Sequence, residues 1–354
     1  MLVYAGMDPR LPVGEVPAAA RRAEALGFDG LQISETIHDS LAVSLLAIEH
    51  TSWITVRTSV AVAFVRSPTL TAYTAWDLAA YSGGRFELGL GTQIRQNIED
   101  RYAMPWADPV PRMAEYLDVV EACFAAFASG ATPKVEGAHY RIRRMQPYFH
   151  PGPDPDTTAP ELWLGGVNPG ICRLAGQRAA GFITHPTNSS PRFIDAVTRP
   201  NLAEGARRAG RPVHDIGVVC ATPVITGRDD EALAAELERQ RKLLAFLYST
   251  PAYERTLELY GWAGLGAELR RLIRDDAWHL LDRLVTDEML QQLAPIATYD
   301  TLAATLLARY EDRATGIVLL PPADPADDGR FIQVIDALQA GTVTVHDPPH
   351  HARR

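Results

Sequence analysis

The stretch GGRFELGLGTQ, residues 83–93, holds four glycines around a short apolar run. Glycine loses the most backbone entropy on folding and has no side chain to pack, so a buried strand normally avoids it. Gly89 and Gly91 occupy alternate positions and therefore point to the same side of a strand. Two explanations stay open here: the cleared side receives a flat ligand, or it receives another part of the chain packed closely against the strand.

Strand-like and helix-like patterns alternate along nearly the whole chain around this stretch. Eight segments have the apolar or β-branched character of buried strands, and helical patterns follow them. They are residues 2–6, 30–34, 54–62, 85–91, 161–166, 181–185, 216–227 and 316–321. Eight βα units close into a TIM (β/α)8 barrel, whereas an open doubly wound sheet usually has fewer strands and a G-x-G-x-x-G turn after the first. GMDPRLPVGE follows the first strand instead, so we predict an α/β TIM barrel.

Two segments are longer than one crossover connection needs. Residues 94–160, after the fourth strand, contain a helical pattern over 111–127 and a Pro-rich aromatic stretch, which together predict a helix, a short hairpin and a loop. Residues 229–312, before the eighth strand, are mostly helical in pattern. We therefore predict one domain over residues 1–342 with these two insertions, and a polar tail over residues 343–354.

Composition excludes several classes of protein. The net charge of −9 disfavours nucleic-acid partners, and no apolar run is long enough to span a membrane. The amino terminus lacks a signal-peptide pattern, and the three widely separated cysteines are typical of a reduced, cytoplasmic protein. The histidines near the carboxyl terminus have no flanking carboxylates, so no metal site is predicted. We expect a small-molecule substrate.

Several segments together resemble the bacterial-luciferase-like monooxygenase and oxidoreductase family. GGRFELGLGTQ is similar to that family's GRF-x-LGLG motif, and residues 25–35, 58–86 and 160–186 resemble its second, third, fifth and sixth strand regions. The LGLGTQ ending most resembles the branch that uses coenzyme F420, a 5-deazaflavin. The resemblance implies a barrel with FMN or the deazaflavin in its mouth, and a homodimer.

The resemblance also implies cofactor-binding residues. Ser59 and Val60 fall where the family has a non-proline cis peptide under the ring. The ring or its tail would approach Gly89, Gly91, Thr92 and Gln93. Backbone N–H groups of Gly165, Gly166 and Val167, with the helix that follows, would meet the phosphate, and His185 would reach the same group. An ordinary strand-to-helix turn and a structural histidine remain the alternatives for this last group of residues.

For chemistry, the resemblance points to ISETIHD at the end of the second strand. Many relatives have an acidic residue followed directly by histidine; here Thr36 follows Glu35, and the next histidine is His38. This departure, and the missing glutamate in GTQIRQ, argue against the sugar-phosphate dehydrogenase activity of some relatives. We expect Glu35 to orient the ring edge and His38 to donate a proton, unless His38 caps the next helix or packs on a loop.

Loop residues after the fourth strand complete the set. Trp106 is expected to cover the substrate pocket, or else to pack on its own helix, and Arg95 and Arg101 to line the exit for the cofactor tail. The predicted function is hydride transfer between coenzyme F420 and a small organic substrate. An FMN-dependent monooxygenase and a non-catalytic flavin- or deazaflavin-binding barrel stay open as alternatives.

Overall fold

A ring of eight parallel strands forms the centre of the computed structural model, which describes residues 1–341. We number these strands β1 (Leu2–Gly6), β2 (Gly30–Ile33), β3 (Thr55–Thr58), β4 (Phe86–Gly91), β5 (Leu162–Gly165), β6 (Gly181–Ile183), β7 (Gly217–Cys220) and β8 (Gly316–Leu319). Their order is β3-β2-β1-β8-β7-β6-β5-β4, and pairing of β3 with β4 closes the ring. The predicted TIM barrel is therefore confirmed; the predicted tail lies outside the described residues.

Helices surround the barrel and fill its connections. They are α1 (Val16–Ala25), α2 (Ser40–Glu49), α3 (Pro68–Ser82), α4 (Pro109–Ser129), α5 (Pro169–Arg178), α6 (Arg199–Ala209), α7 (Asp230–Tyr248), α8 (Glu254–Leu259), α9 (Leu265–Arg274), α10 (Asp287–Leu293), α11 (Tyr299–Tyr310) and α12 (Asp328–Ala340). Helix α3 ends at Gly83 and α4 at Gly130, both left-handed, a conformation that suits glycine at a helix end. Among the described residues, no helix is long and apolar enough to cross a membrane.

Two aromatic side chains fill the amino-terminal end of the barrel interior. Tyr4 and Trp163 point inward, and four strands begin with glycine because a Cβ there would collide with one of these rings. The closest approaches would be 2.6 Å at Gly30 and 2.7 Å at Gly316 to Tyr4, and 2.1 Å at Gly181 and 2.7 Å at Gly217 to Trp163. Protein therefore packs this end of the barrel.

A fully buried arginine completes this packing. The guanidinium of Arg57 lies 3.5 Å from the centre of the Trp163 ring and forms an ion pair with Glu87. It also donates a hydrogen bond of 3.2 Å to the hydroxyl of Tyr4. The positive charge is thus matched inside the barrel, as burial of a charge requires.

Two predicted strands are interrupted. The strand expected over 216–227 ends at Cys220, and Ile225–Gly227 instead pairs in parallel with Ile296–Thr298 outside the barrel. Pro223 lies between the two pieces, and its missing N–H favours the break. The strand expected over 54–62 stops at Thr58 and resumes as Ala61–Val62, which pairs with β4.

Both long connections carry additional structure. After β4, helix α4 is followed by an antiparallel hairpin of Val135–Glu136 with Arg141–Ile142, as the sequence predicts. Between β7 and α11, helices α7 to α10 enclose a separate small apolar core that includes Leu244, Leu257 and Leu290. We call the segment between β7 and α11 the β7–β8 insertion. Helix α11 itself is the regular barrel helix before β8.

Candidate cofactor and active site

The predicted site residues lie at the carboxyl ends of the strands, which we call the mouth of the barrel. Strand pairing places Val62 beside Gly91, Gly91 beside Gly165, and Gly165 beside Ile183. The ends of β3, β4, β5 and β6 therefore form one row. Active sites of TIM barrels are built at this end, from the strand ends and the loops that follow them.

The glycines of β4 and β5 make room for the end of β3. A Cβ on Gly91 would lie 2.4 Å from Cγ2 of Val60, and one on Gly165 would lie 2.7 Å from Cγ1 of Val60. A Cβ on Gly89 would lie 1.9 Å from the carbonyl oxygen of Thr58. Of the two explanations for this glycine pattern, close packing of the chain accounts for all three positions. Their effect on a ligand is to seat Val60 at the mouth.

The Ser59–Val60 peptide bond is cis, as the resemblance implies. It lies between the two pieces of the third strand, and both residues are partly exposed. Thr58 secures the chain just before it: its hydroxyl donates to the carbonyl of Gly89 at 2.8 Å and accepts from the N–H of Gly89 at 2.9 Å. The segment is therefore held against β4 while Val60 remains partly accessible.

The floor of the mouth is mostly apolar. Val60 and Val318 are partly exposed there, and the side chain of Leu320 lies over Gly6, where a Cβ would be 3.0 Å from Cδ2 of Leu320. Leu320 is 52% exposed although it lies over the barrel interior, which shows that the mouth is open above it. Gln32, which pairs with Gly6 in register, is buried with both side-chain amide atoms unpartnered within the described structure. Sequence reasoning missed this residue.

Glu35 is enclosed in a hydrogen-bond network at the end of β2. One carboxylate oxygen accepts from the N–H of Val62 at 2.9 Å, from the hydroxyl of Ser40 at 3.1 Å and from Arg66 at 2.6 Å. Its side chain is only 6% exposed. Glu35 therefore anchors the segment that follows β3, and in this structure its carboxylate serves that segment rather than a free position at the ring edge.

Asp39 shares Arg66 with Glu35 and begins helix α2. Its carboxylate contacts Arg66 at 2.6 Å and accepts from the backbone N–H groups of Leu41 and Ala42. Partial burial raises the pKa of Asp39, but the hydrogen bonds from Arg66 and the helix N–H groups outweigh this effect and leave the pKa below its ordinary value. Asp39, and not His38, is thus the cap of α2.

His38 lies in the loop between these two carboxylates. The residue is half-buried, and its Nε2 atom is shielded from solvent without a hydrogen-bond partner among residues 1–341. A buried polar atom left without a partner costs about 1–3 kcal/mol. An unpartnered imidazole nitrogen at the mouth therefore calls for a ligand or a water, which fits the predicted role in proton transfer.

A second polar corner joins the ends of β5 and β6. Gly166 and Val167 lie between β5 and helix α5, and the N-cap residue Asn168 makes no side-chain hydrogen bond to the first turn of this helix. Free N–H groups and the helix dipole make such a start suited to anions. The fully buried Asn188 ties the corner together, because it accepts from the N–H of His185 at 2.6 Å and donates to the carbonyl of Gly166 at 3.0 Å. Sequence reasoning missed Asn188.

His185 is fixed in one neutral form at this corner. Its Nδ1 accepts from the N–H of Thr187 at 3.3 Å, so in the neutral ring the proton is on Nε2. Burial lowers the pKa of His185 to about 4. His185 therefore offers a neutral N–H donor at the mouth, which suits contact with a phosphate oxygen but adds no positive charge.

The β7–β8 insertion contributes a tyrosine to the same corner. The ring of Tyr253 stacks on that of His185 with centres 4.8 Å apart, and its hydroxyl lies 3.4 Å from Nε2. Tyr248 and Thr256 both donate to the carbonyl of Thr187, at 3.1 and 2.9 Å, and so dock the insertion on the β6 loop. No local pattern around Tyr253 indicated this position, because the contact joins residues far apart in sequence.

The loop after β4 forms the opposite rim. Gln93 has a left-handed backbone with φ of 60°, and its side chain accepts from the N–H of Ile94 at 2.9 Å, while the hydroxyl of Thr92 donates to the carbonyl of Gln93. Trp106 packs edge-on against Phe64, which follows the third strand, with ring centres 6.0 Å apart. Trp106 is half-buried at this rim and does not pack on its own helix.

The two arginines of this loop have partners within the chain. Arg101 donates to the carbonyl of Thr36 and so joins the loop after β4 to the loop after β2. Arg95 pairs with Glu99 at 2.8 Å on the surface. Arg101 therefore lies at the rim, as predicted, and Arg95 is exposed beside it.

The closed barrel and a polar site at its mouth define an α/β-barrel protein of the luciferase-like type. Residues 4–316 match the profile of the luciferase-like monooxygenases, and the chain belongs to that family. An uncharacterised protein of Mycobacterium tuberculosis is 40% identical over 86% of this chain and 90% of its own length. A second protein of that organism, provisionally named a coenzyme F420-dependent oxidoreductase, is 32% identical over 66% of this chain and 67% of its own.

Solved structures show the same fold. The coenzyme F420-dependent tetrahydromethanopterin reductase of Methanopyrus kandleri superposes with a TM-score of 0.78 at 19% identity, covering 96% of this chain and 98% of that one. At this level of identity the likeness supports the barrel and its large connections, and not a substrate.

Proposed function

We propose that this protein is an oxidoreductase that transfers a hydride between coenzyme F420 and a small organic substrate at the mouth of the barrel. The observation that carries the choice of the deazaflavin is the 32% identity to the M. tuberculosis protein provisionally named as F420-dependent. The chain's own residues support the cofactor class: an apolar floor suits a broad ring, and an uncapped helix start beside it suits a phosphate.

The cofactor would be held from two sides. Val60, Val318 and Leu320 offer an apolar surface to the ring system. Gly166, Val167 and the start of α5 offer backbone N–H groups to the phosphate, and His185 offers its Nε2–H. These are neutral donors and a helix dipole, which together bind an anion without a buried cation. Bound there, the deazaflavin supplies the hydride carrier.

His38 is the residue we assign to the proton. Hydride addition to a C=O, C=N or C=C group of the substrate leaves a negative charge, and a donor must neutralise it. The unpartnered Nε2 of His38 is shielded from bulk water at the mouth and, when protonated, can supply that proton. Glu35 and Arg66 act on this chemistry indirectly, because they hold the β2 loop against the segment that follows β3.

Turnover distinguishes this proposal from its alternatives. We expect the protein to change the visible absorbance of the deazaflavin in the presence of candidate ketones, imines or alcohols, at a rate that does not depend on oxygen. Oxygen consumption with reduced FMN, and none of these changes with the deazaflavin, would support the FMN-dependent monooxygenase instead. Tight binding of either cofactor without turnover of any candidate substrate would favour a non-catalytic binding barrel.

A further inference from the structure

The β7–β8 insertion places an exposed aromatic pair on one side of the mouth. Phe246 of α7 stacks on Trp278 with ring centres 6.0 Å apart and an interplanar angle of 27°. The two residues are 48% and 47% exposed, and Leu243, one helical turn before Phe246, is exposed as well. We call Leu243, Phe246 and Trp278 the apolar wall. Large apolar side chains grouped on a surface mark a binding site more often than isolated ones do.

The orientation of α7 directs this wall toward the mouth. One face of the helix, with Leu244 and Tyr248, is buried in the core of the insertion, and Leu243 and Phe246 lie on the opposite face. At one end of the helix, Tyr248 reaches the β6 loop at Thr187. On the same face as the wall, Arg239 lies near Asp8, in the loop after β1; its pKa is raised by its hydrogen bonds to Glu236 and further by Asp8. Helix α7 therefore crosses beside the ends of β7, β8 and β1.

The floor beneath the wall is apolar too, and the charged groups of the rim are already paired. Leu320 extends the apolar surface from β8 to the barrel interior. Arg66 is bound by Glu35 and Asp39, Arg95 by Glu99, and Arg101 by a backbone carbonyl. These three arginines are therefore not free to bind a carboxylate or phosphate of a substrate.

We infer that the non-reacting part of the substrate is apolar and binds against Leu243, Phe246 and Trp278, so that the substrate class is a hydrophobic ketone or alcohol, not a sugar phosphate. This inference rests on the proposed function, because it assigns the wall to the substrate of the hydride transfer. Each methylene group buried against such a surface tightens binding about fourfold. The wall is thus expected to select for chain length.

A neutral apolar dye tests the inference without knowledge of the natural substrate. N-phenyl-1-naphthylamine, whose fluorescence rises in apolar surroundings, is titrated into the protein with and without bound deazaflavin. We expect saturable binding that octan-2-one displaces at about tenfold lower concentration, or less, than propan-2-one. Phe246→Ser and Leu243→Ser should each weaken dye binding about tenfold, and circular dichroism should show both variants folded, since both side chains are exposed.

Trp53 supplies the matched control. It is an exposed aromatic residue in the loop before β3, at the opposite end of the barrel, so Trp53→Ser should leave dye binding unchanged. Equal dye affinity in wild type, Phe246→Ser and Leu243→Ser would overturn the inference. So would equal displacement by the two ketones, or absence of dye binding together with dissociation of a dimer in Phe246→Ser.

The cofactor is titrated separately so that the two proposals can fail independently. Deazaflavin binding without the expected dye pattern would refute the apolar substrate site alone. The expected dye pattern without deazaflavin binding would refute the proposed cofactor, and the site for an apolar ligand would stand.

Discussion

Two histidines at the mouth have opposite surroundings, and their expected roles differ for that reason. His185 has partners on both ring nitrogens, Thr187 and Tyr253. His38 has a shielded Nε2 with no partner among the described residues. The first is therefore suited to hold an anion in a fixed position, and the second is available to exchange a proton with a substrate.

Replacing His38 should affect turnover and spare cofactor binding. General acid catalysis contributes about 10²–10⁴-fold, so His38→Gln should lower kcat by about that factor. The deazaflavin dissociation constant should stay within about twofold of wild type, because the cofactor contacts proposed here do not include His38. His139→Gln, at an exposed histidine in the hairpin, is the control. Wild-type turnover in His38→Gln would assign the proton to another group.

His185 should make stability depend on pH in acid. Its folded pKa of about 4 lies below the ordinary value, so the folded state disfavours the protonated ring. The resulting stabilisation is complete above about pH 6.5 and is lost as the pH falls toward 4, by at most about 3 kcal/mol. Urea unfolding at several pH values should show this loss in wild type and a smaller one in His185→Gln. An identical pH dependence in the two proteins would contradict the assignment.

At the scale of elements, the end of β3 is the piece around which the mouth is built. Gly89, Gly91 and Gly165 leave space that Thr58 and Val60 fill, and Glu35 binds the N–H of Val62 just beyond. Three strands therefore fix one short segment. The sequence motif that suggested a ligand is explained first by this packing, and the ligand site follows from it.

A pair of substitutions tests that packing. In Gly91→Ala the new methyl group would lie 2.4 Å from Cγ2 of Val60, so we expect a loss of about 1–3 kcal/mol in the free energy of unfolding. Val60→Ala should relieve most of this loss in the double variant, which a double-mutant cycle measures. Gly14→Ala, where a Cβ meets nothing within 4 Å, is the control. Additive effects of Gly91→Ala and Val60→Ala would show that the two positions do not pack together.

Local pattern predicted the elements well and their contacts poorly. Alternation of apolar strands and helices located all eight barrel strands, because burial inside a ring of helices imposes that pattern. It did not locate the break after Thr58 or the second piece of the 216–227 segment, since both depend on which strand each piece pairs with. Asn188 and Tyr253 were missed for the same reason: their partners, Gly166 and His185, come from other elements.

At the scale of the whole molecule, the surface between α2 and α3 is suited to a second copy of the chain. Leu45 and Leu70 are exposed there beside a groove of about 320 Å³ that Leu41 and Leu78 also line. A twofold axis would bury the same apolar patch on both protomers. This patch supports the homodimer expected from the resemblance, and the proposal is ours to test.

Charge on this patch should separate the protomers. We expect wild type to be a dimer at micromolar concentration by light scattering, and Leu70→Glu to be a folded monomer. Val213→Glu, at an exposed apolar residue before β7, should leave the mass unchanged. A monomeric wild-type protein, or a dimeric Leu70→Glu variant, would show that the α2–α3 surface does not hold two copies together.

The choice of cofactor is the central claim, and equilibrium titration tests it most directly. Purified protein is titrated with coenzyme F420 and, side by side, with FMN, and binding is followed by cofactor fluorescence. We predict a dissociation constant of about 1 µM or lower for the deazaflavin, equivalent to about −8 kcal/mol, and weaker binding of FMN. Tight binding of FMN with no binding of the deazaflavin would contradict the proposed function.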